Sequence, residues 1–343
     1  MSVTGALYRK YRPQTFADVK DQDHIITVLE GAIKKGEIPH AILFSGTRGT
    51  GKTTLARLFA KAIGTADLDI YEIDAASNRG IDDVRELKEA VHTLPYESAQ
   101  KVYIIDEVHM LTKEAFNALL KTLEEPPEHV VFILATTEEE KLLDTILSRC
   151  QVFRMHSPSR AVLSDVVTEV AKKEGFELSP DAADLIAVAA DGSFRDALGV
   201  TQKVIMASGD KIGDADEVAA IIGAPKTKTM QSLVKALHEK NLEEALLAIQ
   251  DAVSTGVDIK LFTRLLLEHV RAVMLLRNLP SKEEVILQSF GVETQKVLKD
   301  ISAENTPINS HLLLQLIKAS ELVARSPIPQ APLEATLIEF SKA

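Results

Sequence analysis

Gly46-Thr-Arg-Gly-Thr-Gly51-Lys52-Thr53 is the stretch that decides the fold of this 343-residue chain. It matches G-x-x-x-x-G-K-[ST], the pattern typical of a phosphate-binding P-loop. The stretch follows the apolar run Ala41–Phe44 and precedes a helical pattern that begins near Thr53. Because a functional P-loop joins a strand to a helix, this setting predicts a nucleotide-binding domain.

The residue types of this loop fit a nucleoside triphosphate. Its glycines let backbone N–H groups converge on phosphate oxygens, and the N-terminus of the following helix adds its positive end. Lys52 is expected to reach the β- and γ-phosphates, and the Thr53 hydroxyl to bind Mg²⁺. The predicted nucleotide contacts in the loop are Gly46, Thr47, Gly49, Thr50, Gly51, Lys52, Thr53 and Thr54.

A second stretch, Ile104-Ile105-Asp106-Glu107, is an apolar strand that ends in two acids, as a Walker B motif does. Asp106 is expected to hold the magnesium shell, and Glu107 to orient and polarise the attacking water. Alone, the two acids also fit a solvated strand end. Beside a P-loop, they predict binding of ATP with Mg²⁺ and its hydrolysis.

Composition limits the class of protein. The length predicts two or three domains, and contents of 45% hydrophobic and 26% charged residues are those of a soluble globular protein. No apolar run reaches the roughly 18 residues of a membrane span, and the N-terminus lacks a signal-peptide layout. We therefore expect a cytoplasmic protein.

Charge and cysteine content narrow the partners and cofactors. The single cysteine, Cys150, excludes an internal disulfide and a multi-cysteine zinc site. The net charge of −11 argues against wrapping of DNA by the whole surface, but a local basic face remains compatible with it. Without tryptophan to stack on bases, any DNA contact is expected to be with the backbone and insensitive to sequence.

The first half of the chain alternates strand and helix patterns. After the Ala41–Phe44 run, apolar runs lie at 70–73, 102–105, 130–134 and 151–155. Strands interleaved with helices predict a five-stranded parallel sheet with helices on both faces. We assign this α/β P-loop domain to residues 1–156.

Beyond Ser157 the strand signals stop, and helical patterns alone are expected. Segments near 159–174 and 180–190, and a third opened by a capping box of Ser193 and Asp196, predict a small helical lid over 157–222.

Ala224-Pro225 marks a linker to an all-α C-terminal domain over 223–343. Its periodicity fits a plain helical bundle and an assembly surface equally well. Its clearest apolar stripe consists of Leu261, Leu265, Leu266, His269 and Val270.

Three further residues lie where a nucleotide site would place them. Thr137 follows the fourth strand, where a hydroxyl senses the γ-phosphate or positions water; a plain helix N-cap is the alternative. Arg149 precedes the fifth strand and is either an arginine finger for a neighbouring subunit or a surface ion-pair partner. Arg195 lies in the first turn of a helix, where the macrodipole disfavours a cation, so an anionic partner or a nearby acid is expected.

The N-terminal run Leu7-Tyr-Arg-Lys-Tyr-Arg12-Pro13 combines aromatic and cationic side chains. It fits a segment that covers an adenine, and equally a solvated basic tail.

Together these features resemble the AAA+ clamp-loader ATPases, and most closely the gamma/tau family of bacterial DNA polymerase III. The segments that carry the resemblance are Leu7–Phe16, the P-loop, Glu72–Asn78, Val102–His109, Phe116–Pro127 and Ser148–Cys150. It is specific across residues 5–200 and weaker through the C-terminal helices.

The resemblance implies an AAA+ domain, a lid and a collar in a ring of five subunits. The partners implied are delta- and delta-prime-type loader subunits, further copies of this chain, a sliding clamp and primer–template DNA. Within one subunit, Lys52, Thr53, Asp106, Glu107, Thr137 and Arg195 would act in cis, Arg12 and Val19 would lie near the adenine, and Arg149 would act in trans.

The sequence departs from the family in one respect. A four-cysteine zinc module is usual between the P-loop helix and the Asp74–Asn78 segment, whereas Ala62–Asp69 closes that gap directly, so zinc is not expected. The sequence ends at Ala343, and we expect the tail of the longer family form to be absent.

Candidate DNA contacts are expected on the inner face of the ring, from backbone N–H groups at 77–80 and from basic side chains. Each of these side chains also fits a solvated surface position. The candidates are Arg79, Arg85, Lys121 and Lys141.

Two other functions remain open. One is a different AAA+ DNA motor, such as a branch-migration helicase. The other is a scaffold with vestigial ATP binding, against which the intact residues Lys52, Thr53, Asp106 and Glu107 argue.

Overall fold

A computed structural model describes residues 5–78, 80–208 and 212–342 of the protein. These residues form two compact units. The sheet unit comprises residues 7–162 and 192–196. The helical unit comprises residues 5–6, 163–191 and the described part of 197–342.

The sheet unit is an α/β structure, as the alternating pattern predicts. Its strands are β1 (Ala41–Ser45), β2 (Ile70–Asp74), β3 (Lys101–Asp106), β4 (Val130–Thr136) and β5 (Gln151–Arg154). Its helices are α1 (Leu7–Lys10), α2 (Asp23–Lys35), α3 (Lys52–Ala62), α4 (Ile81–Val91), α5 (Lys113–Glu124) and α6 (Asp144–Leu147). The strands form a single parallel sheet in the order β2-β3-β4-β1-β5, which confirms the five-stranded prediction.

The three central strands β1, β3 and β4 are buried on both faces of the sheet, which explains why they read as continuous apolar runs. Successive residues of a strand point to opposite faces, so Leu43 packs with α4 and α5 while Ile42 packs with α2 and α3. The same alternation separates Ile105 from Ile104 in β3.

The strand order brings three loops to one edge of the sheet. β4 lies between β3 and β1, and all three run in the same direction. The P-loop after β1, the acids at the end of β3 and the threonines at the end of β4 therefore lie at neighbouring carboxyl ends, where ligands of open α/β sheets bind.

The helical unit holds the lid and an all-helical C-terminal region. The lid elements are α7 (Arg160–Lys173), β6 (Glu177–Leu178), α8 (Pro180–Ala189), α9 (Phe194–Ala207), β7 (Ile212–Gly213) and α10 (Ala215–Ile222); the first residues of α7 and α9 belong to the sheet unit. The C-terminal helices are α11 (Thr227–Glu239), α12 (Leu242–Ser254), α13 (Ile259–Asn278), α14 (Glu283–Leu287), α15 (Val292–Ala303), α16 (Ser310–Val323) and α17 (Ala331–Lys342).

The helical lid also contains a short strand pair, which the sequence analysis does not predict. β6 and β7 form a parallel pair in the lid, with Glu177 opposite Ile212 and Leu178 opposite Gly213. Two-residue strands are too short to give a period-2 pattern, so the sequence carries no sign of them.

One apolar cluster fills the C-terminal helices and extends to part of the lid. Every member of the stripe that begins at Leu261 and includes His269 is buried on α13, as the periodicity predicts. Val188 of α8 belongs to the same cluster. At the end of that lid helix, Arg264 of α13 donates to the Val188 carbonyl at 3.2 Å and pairs with Asp191 at 2.5 Å.

The lid helix α8 is thus fixed to the C-terminal helices, although the division into three domains at 157 and 223 stays a prediction. Over the described ranges, no helix combines the length and apolar character that a bilayer crossing needs.

Candidate functional site

The P-loop has the backbone that its glycines predict. Gly46, Gly49 and Gly51 have φ angles of 153°, 77° and 102°, in a region that residues with a Cβ rarely adopt. Gly51 is the N-cap of α3, so the first N–H groups of that helix face the loop. Anions are favoured at such a helix end.

Lys52 lies inside the loop. Its Nζ donates to the carbonyl oxygens of Gly46 at 2.8 Å and Thr47 at 2.9 Å, and the residue is 6% exposed. Burial lowers the pKa of Lys52, while the carboxylates of Glu107 and Asp106 act to raise it. The ammonium therefore lies inside the loop and within electrostatic range of both acids.

The remaining loop residues support this arrangement. The Thr50 hydroxyl donates to the Thr47 carbonyl at 3.0 Å, and Thr47 Oγ1 lies 2.8 Å from Ser157 Oγ. Thr54 is partly buried in the first turn of α3. These hydrogen bonds hold the loop in this conformation.

Thr53 and Asp106 form the candidate magnesium position. The Thr53 hydroxyl donates to Asp106 Oδ2 at 2.6 Å, so a hydroxyl and a carboxylate from two different elements meet. Mg²⁺ prefers such oxygen ligands and needs only one or two of them when phosphates supply others. The residues therefore fit the ion that the sequence predicts.

Glu107 has a strained backbone. Its φ and ψ of 49° and 44° lie in the left-handed region, which is uncommon for a residue other than glycine. Strain of this kind concentrates at functional sites. Its carboxylate accepts a hydrogen bond from Thr137 Oγ1 at 3.0 Å, so the structure joins two residues that the sequence predicts separately.

His109 is a residue of this site to which the sequence analysis gave no role. Its side chain is 7% exposed, and its Nδ1 lies 3.0 Å from Thr136 Oγ1 and 3.5 Å from Glu107 Oε2. Its Nε2 lies 3.3 Å from Glu138 Oε2. The available signal was a histidine two positions beyond a catalytic-type acid, but a lone histidine does not reveal its partners.

The segment 192–196 lies directly on the P-loop. The Phe194 N–H donates to the Gly49 carbonyl at 3.0 Å, and a Cβ added to Gly49 would lie 1.9 Å from Ser193 Oγ. Ser193 Oγ also accepts from the Asp196 N–H at 3.1 Å, which is the cap that the sequence predicts. The absence of a side chain at Gly49 lets this segment approach.

Arg195, carried by that segment, pairs with no carboxylate among the described residues, so the alternative of a nearby acid finds no support. Its guanidinium carbon instead lies 4.9 Å from the centroid of the Tyr8 ring. The N-terminal run thus forms the short helix α1 at the site instead of a free tail.

The two residues expected near the adenine lie in the same unit. Arg12 is partly buried, and its pKa is lowered first by burial and then by the neighbouring Arg57, with Glu72 opposing. Val19 is partly buried and packs against the apolar cluster that contains Ile25.

Arg149 lies at the amino ends of the strands, whereas Lys52 lies at their carboxyl ends. It precedes β5, whose first residue Gln151 pairs with Ile42 near the start of β1, whereas the P-loop follows the end of β1. The length of strand from Ile42 to the start of the P-loop at Gly46 is roughly 13 Å. Its Nη1 donates to the Thr145 carbonyl at 2.5 Å.

Arg149 also pairs with Glu124, and its buried Nε has no hydrogen-bond partner in the part of the chain that the structure describes. Its position excludes contact with its own P-loop.

The DNA candidates do not form one cluster in the structure. Arg85 lies exposed on α4 and Lys121 exposed on α5, whereas Lys141 pairs with Glu138 beside the His109 network. Arg79 lies outside the described residues.

Solved structures with this fold include the Holliday junction branch migration motor RuvB of Thermotoga maritima. Its match has a TM-score of 0.54 and 21% identity, and covers 72% of this chain and 86% of that one. The fold is that of AAA+ proteins.

Family comparisons are more specific. Residues 64–159 match the DNA polymerase III delta subunit family, residues 163–210 the ATPase lid domain of the DNA polymerase III clamp loader subunit, and residues 214–343 domain III of subunits gamma and tau. DNA polymerase III subunit gamma of Buchnera aphidicola (subsp. Schizaphis graminum) is 34% identical, over 97% of each chain.

Subunit tau of Bacillus subtilis is 39% identical over 86% of this chain, and that of Escherichia coli 37% over 95%. The chain belongs to the gamma/tau family of DNA polymerase III subunits. It spans about half the length of these two tau relatives, 56% and 53%.

Proposed function

We propose that this protein is the ATPase subunit of a replicative clamp loader, which uses ATP to open a sliding clamp and place it on primed DNA. The observation that carries the proposal is the convergence of four groups in the sheet unit. Lys52, the Thr53–Asp106 pair, the Glu107–Thr137 pair and the segment of Arg195 meet around the P-loop. Membership of the gamma/tau family supplies the biological setting.

In this proposal the binding groups act on the triphosphate. The P-loop N–H groups and Lys52 hold the β- and γ-phosphates, and the Thr53 hydroxyl and Asp106 bind Mg²⁺, which neutralises charge as it develops on the phosphates. Arg195 contacts the γ-phosphate because its charge has no carboxylate partner among the described residues. Arg12 and Val19 border the base.

Glu107 orients the attacking water and accepts its proton. Its bond from Thr137 holds the carboxylate in one orientation, and His109 lies on the same oxygen, Oε2. Rotation of the Thr137 hydroxyl toward the γ-phosphate would release the carboxylate for the water. Thr137 thereby links recognition of the phosphate to activation of Glu107.

Arg149 acts on the ATP of a neighbouring subunit. Its place at the amino edge of the sheet keeps it from its own site and leaves its guanidinium beside Glu124. An arginine that enters a site from a partner stabilises transition-state charge and accelerates hydrolysis by about 10³-fold or more. Hydrolysis would therefore require the assembled ring.

The proposed assembly is a cytoplasmic ring of five subunits that contains copies of this chain and delta- and delta-prime-type subunits, held together by α11–α17. DNA contact would be with the backbone. Arg85, Lys121 and Arg79 are candidates, and Lys141 is a weaker one because Glu138 neutralises it.

The deciding experiment is the steady-state ATPase rate of this chain with its cognate loader subunits. The rate is compared with and without the clamp, on primed and on fully duplex DNA. Stimulation that needs both the clamp and a primed junction supports a clamp loader. Equal stimulation by plain duplex, without an effect of the clamp, indicates a translocating motor and refutes the proposal.

The Lys52→Ala protein tests the alternative of a scaffold with vestigial ATP binding. If this variant no longer turns over ATP but still supports clamp loading, the scaffold is favoured.

A further inference from the structure

Arginines crowd the base of the N-terminal segment. The pKa of Arg12 is lowered by burial and by the charges of Arg57, Arg195 and Arg9, with Glu72 opposing, so three guanidinium groups lie within electrostatic range of Arg12. Of these arginines, Arg57 pairs with a carboxylate, that of Glu72, whose Oε2 accepts from Arg57 Nε at 2.6 Å. Across the described ranges, Arg9, Arg12 and Arg195 form no ion pair.

The aromatic ring of Tyr8 lies within this cationic group. Arg195 Cζ lies 4.9 Å and Arg9 Cζ 5.7 Å from its centroid. The pKa of Tyr8 is lowered by hydrogen bonds to Arg9 and Arg195. Leu7, the residue before Tyr8, is completely buried and so anchors the segment that carries the ring.

A ring and a carboxylate hold an arginine with different consequences. A carboxylate would neutralise Arg195 and would compete with any phosphate for its N–H groups. The face of an aromatic ring attracts the cation through its quadrupole, yet leaves the full positive charge in place. Tyr8 therefore orients Arg195 without reducing its attraction for an anion.

We propose that Tyr8 is a positioning residue for Arg195, so that the N-terminal segment sets the preference of the site for ATP over ADP. The inference rests on the proposed contact of Arg195 with the γ-phosphate. Tyr8 itself touches no phosphate. Replacement of Tyr8 should therefore change the affinity for ATP only when Arg195 is present. It should not change the affinity for ADP.

The test is a double-mutant cycle on the full chain. Affinities for ATP and ADP are measured by competition with a fluorescent nucleotide. The proteins are the unaltered chain, Tyr8→Leu, Tyr8→Phe, Arg195→Ala and the double variant Tyr8→Leu with Arg195→Ala. Tyr11→Leu is the matched control, because that ring lies beside Lys10 on the same segment. Thermal melting of each protein reports its stability.

Tyr8→Leu should weaken ATP binding about two- to fivefold, the range of an exposed cation–π contact, and leave ADP binding unchanged. Tyr8→Phe keeps the ring but removes the hydroxyl that bonds to Arg9 and Arg195, so it separates the two contacts. Because the face of the ring holds the guanidinium, this variant should keep most of the ATP affinity that Tyr8→Leu loses. Tyr11→Leu should not change the ratio of the two affinities. In the Arg195→Ala background, Tyr8→Leu should not lower the affinity for ATP any further.

Three results overturn the inference. If Arg195→Ala leaves the ATP to ADP ratio unchanged, the proposed role of Arg195 fails and that of Tyr8 fails with it. If Arg195→Ala changes the ratio but Tyr8→Leu does not, only the role of Tyr8 fails. An effect of Tyr8→Leu that persists without Arg195, or that Tyr8→Phe reproduces, shows that the ring does not act by holding the guanidinium.

Discussion

Gly49→Ala tests whether the segment that carries Arg195 really lies on the P-loop. The added methyl group would lie 1.9 Å from Ser193 Oγ and 2.8 Å from Ser193 Cβ, distances that real atoms do not allow. The φ of 77° adds left-handed strain of about 1–2 kcal/mol. Relief of the clash would break the bond from Phe194 to the Gly49 carbonyl, worth about 1 kcal/mol.

The functional loss follows from the displaced arginine. A hydrogen bond to a charged group contributes about 1.5–3 kcal/mol, so ATP affinity should fall roughly 10- to 150-fold. ADP binding should fall much less because it depends mainly on the loop and Lys52. Isothermal titration of both nucleotides measures these changes.

Gly36→Ala is the matched control. Gly36 has a φ of 72°, almost that of Gly49, but nothing lies within 4 Å of an added Cβ. Gly36→Ala introduces the left-handed backbone strain without a steric clash. The ATP affinity of this variant should therefore stay within about twofold of that of the unaltered chain.

Ser193→Gly in the Gly49→Ala background should restore part of the ATP affinity. It removes both clashing atoms and leaves Ser193 Cα at 3.3 Å, while glycine at an N-cap costs only a few tenths of a kcal/mol. Wild-type ATP binding by Gly49→Ala, or no gain in the double variant, would refute the close approach of the two segments.

Three further substitutions test separate parts of the structure. Lys52→Ala should lower the ATPase rate at least about 100-fold without loss of helical circular dichroism; an active variant would remove Lys52 from the site. Arg149→Ala should leave ATP binding by the isolated chain unchanged and lower hydrolysis about 1,000-fold only in the assembled ring; weaker binding by the isolated chain would contradict action in trans. Burial acts to raise the pKa of Asp69, but hydrogen bonds from the N–H groups of residues 96–98 lower it to about 2. The carboxylate thus stabilises the fold above the unfolded pKa near 3.9 and loses this effect as pH falls through 2. Asp69→Asn should melt earlier at pH 7, by a margin that shrinks between about pH 4 and 2; a margin independent of pH would contradict this.

The sequence by itself determined the class of fold and much of the nucleotide site. The P-loop needs glycine at positive φ and a lysine and hydroxyl next to a helix start, and these requirements are local in the chain. The continuous apolar runs of the central strands and the α13 stripe, with its period of 3.6 residues, are local patterns too. Asp106 and Glu107 were predicted because two acids end an apolar strand in a chain that also carries a P-loop.

Only the tertiary structure decided which residues meet. The strand order places β4 between β1 and β3, and so brings Thr137 onto Glu107 and Thr53 onto Asp106, contacts that span 30 and 53 positions. No local pattern encodes such pairs, because they depend on the packing of whole elements.

The same reason hid His109 and Tyr8 from sequence reasoning. A histidine or tyrosine has no signature of its own, and each acquired a role only when folding placed it against a partner far along the chain, as with Tyr8 and Arg195. Arg149 shows the converse case: its residue type suggested a finger, but the register of β5 on β1 is what separates it from its own site.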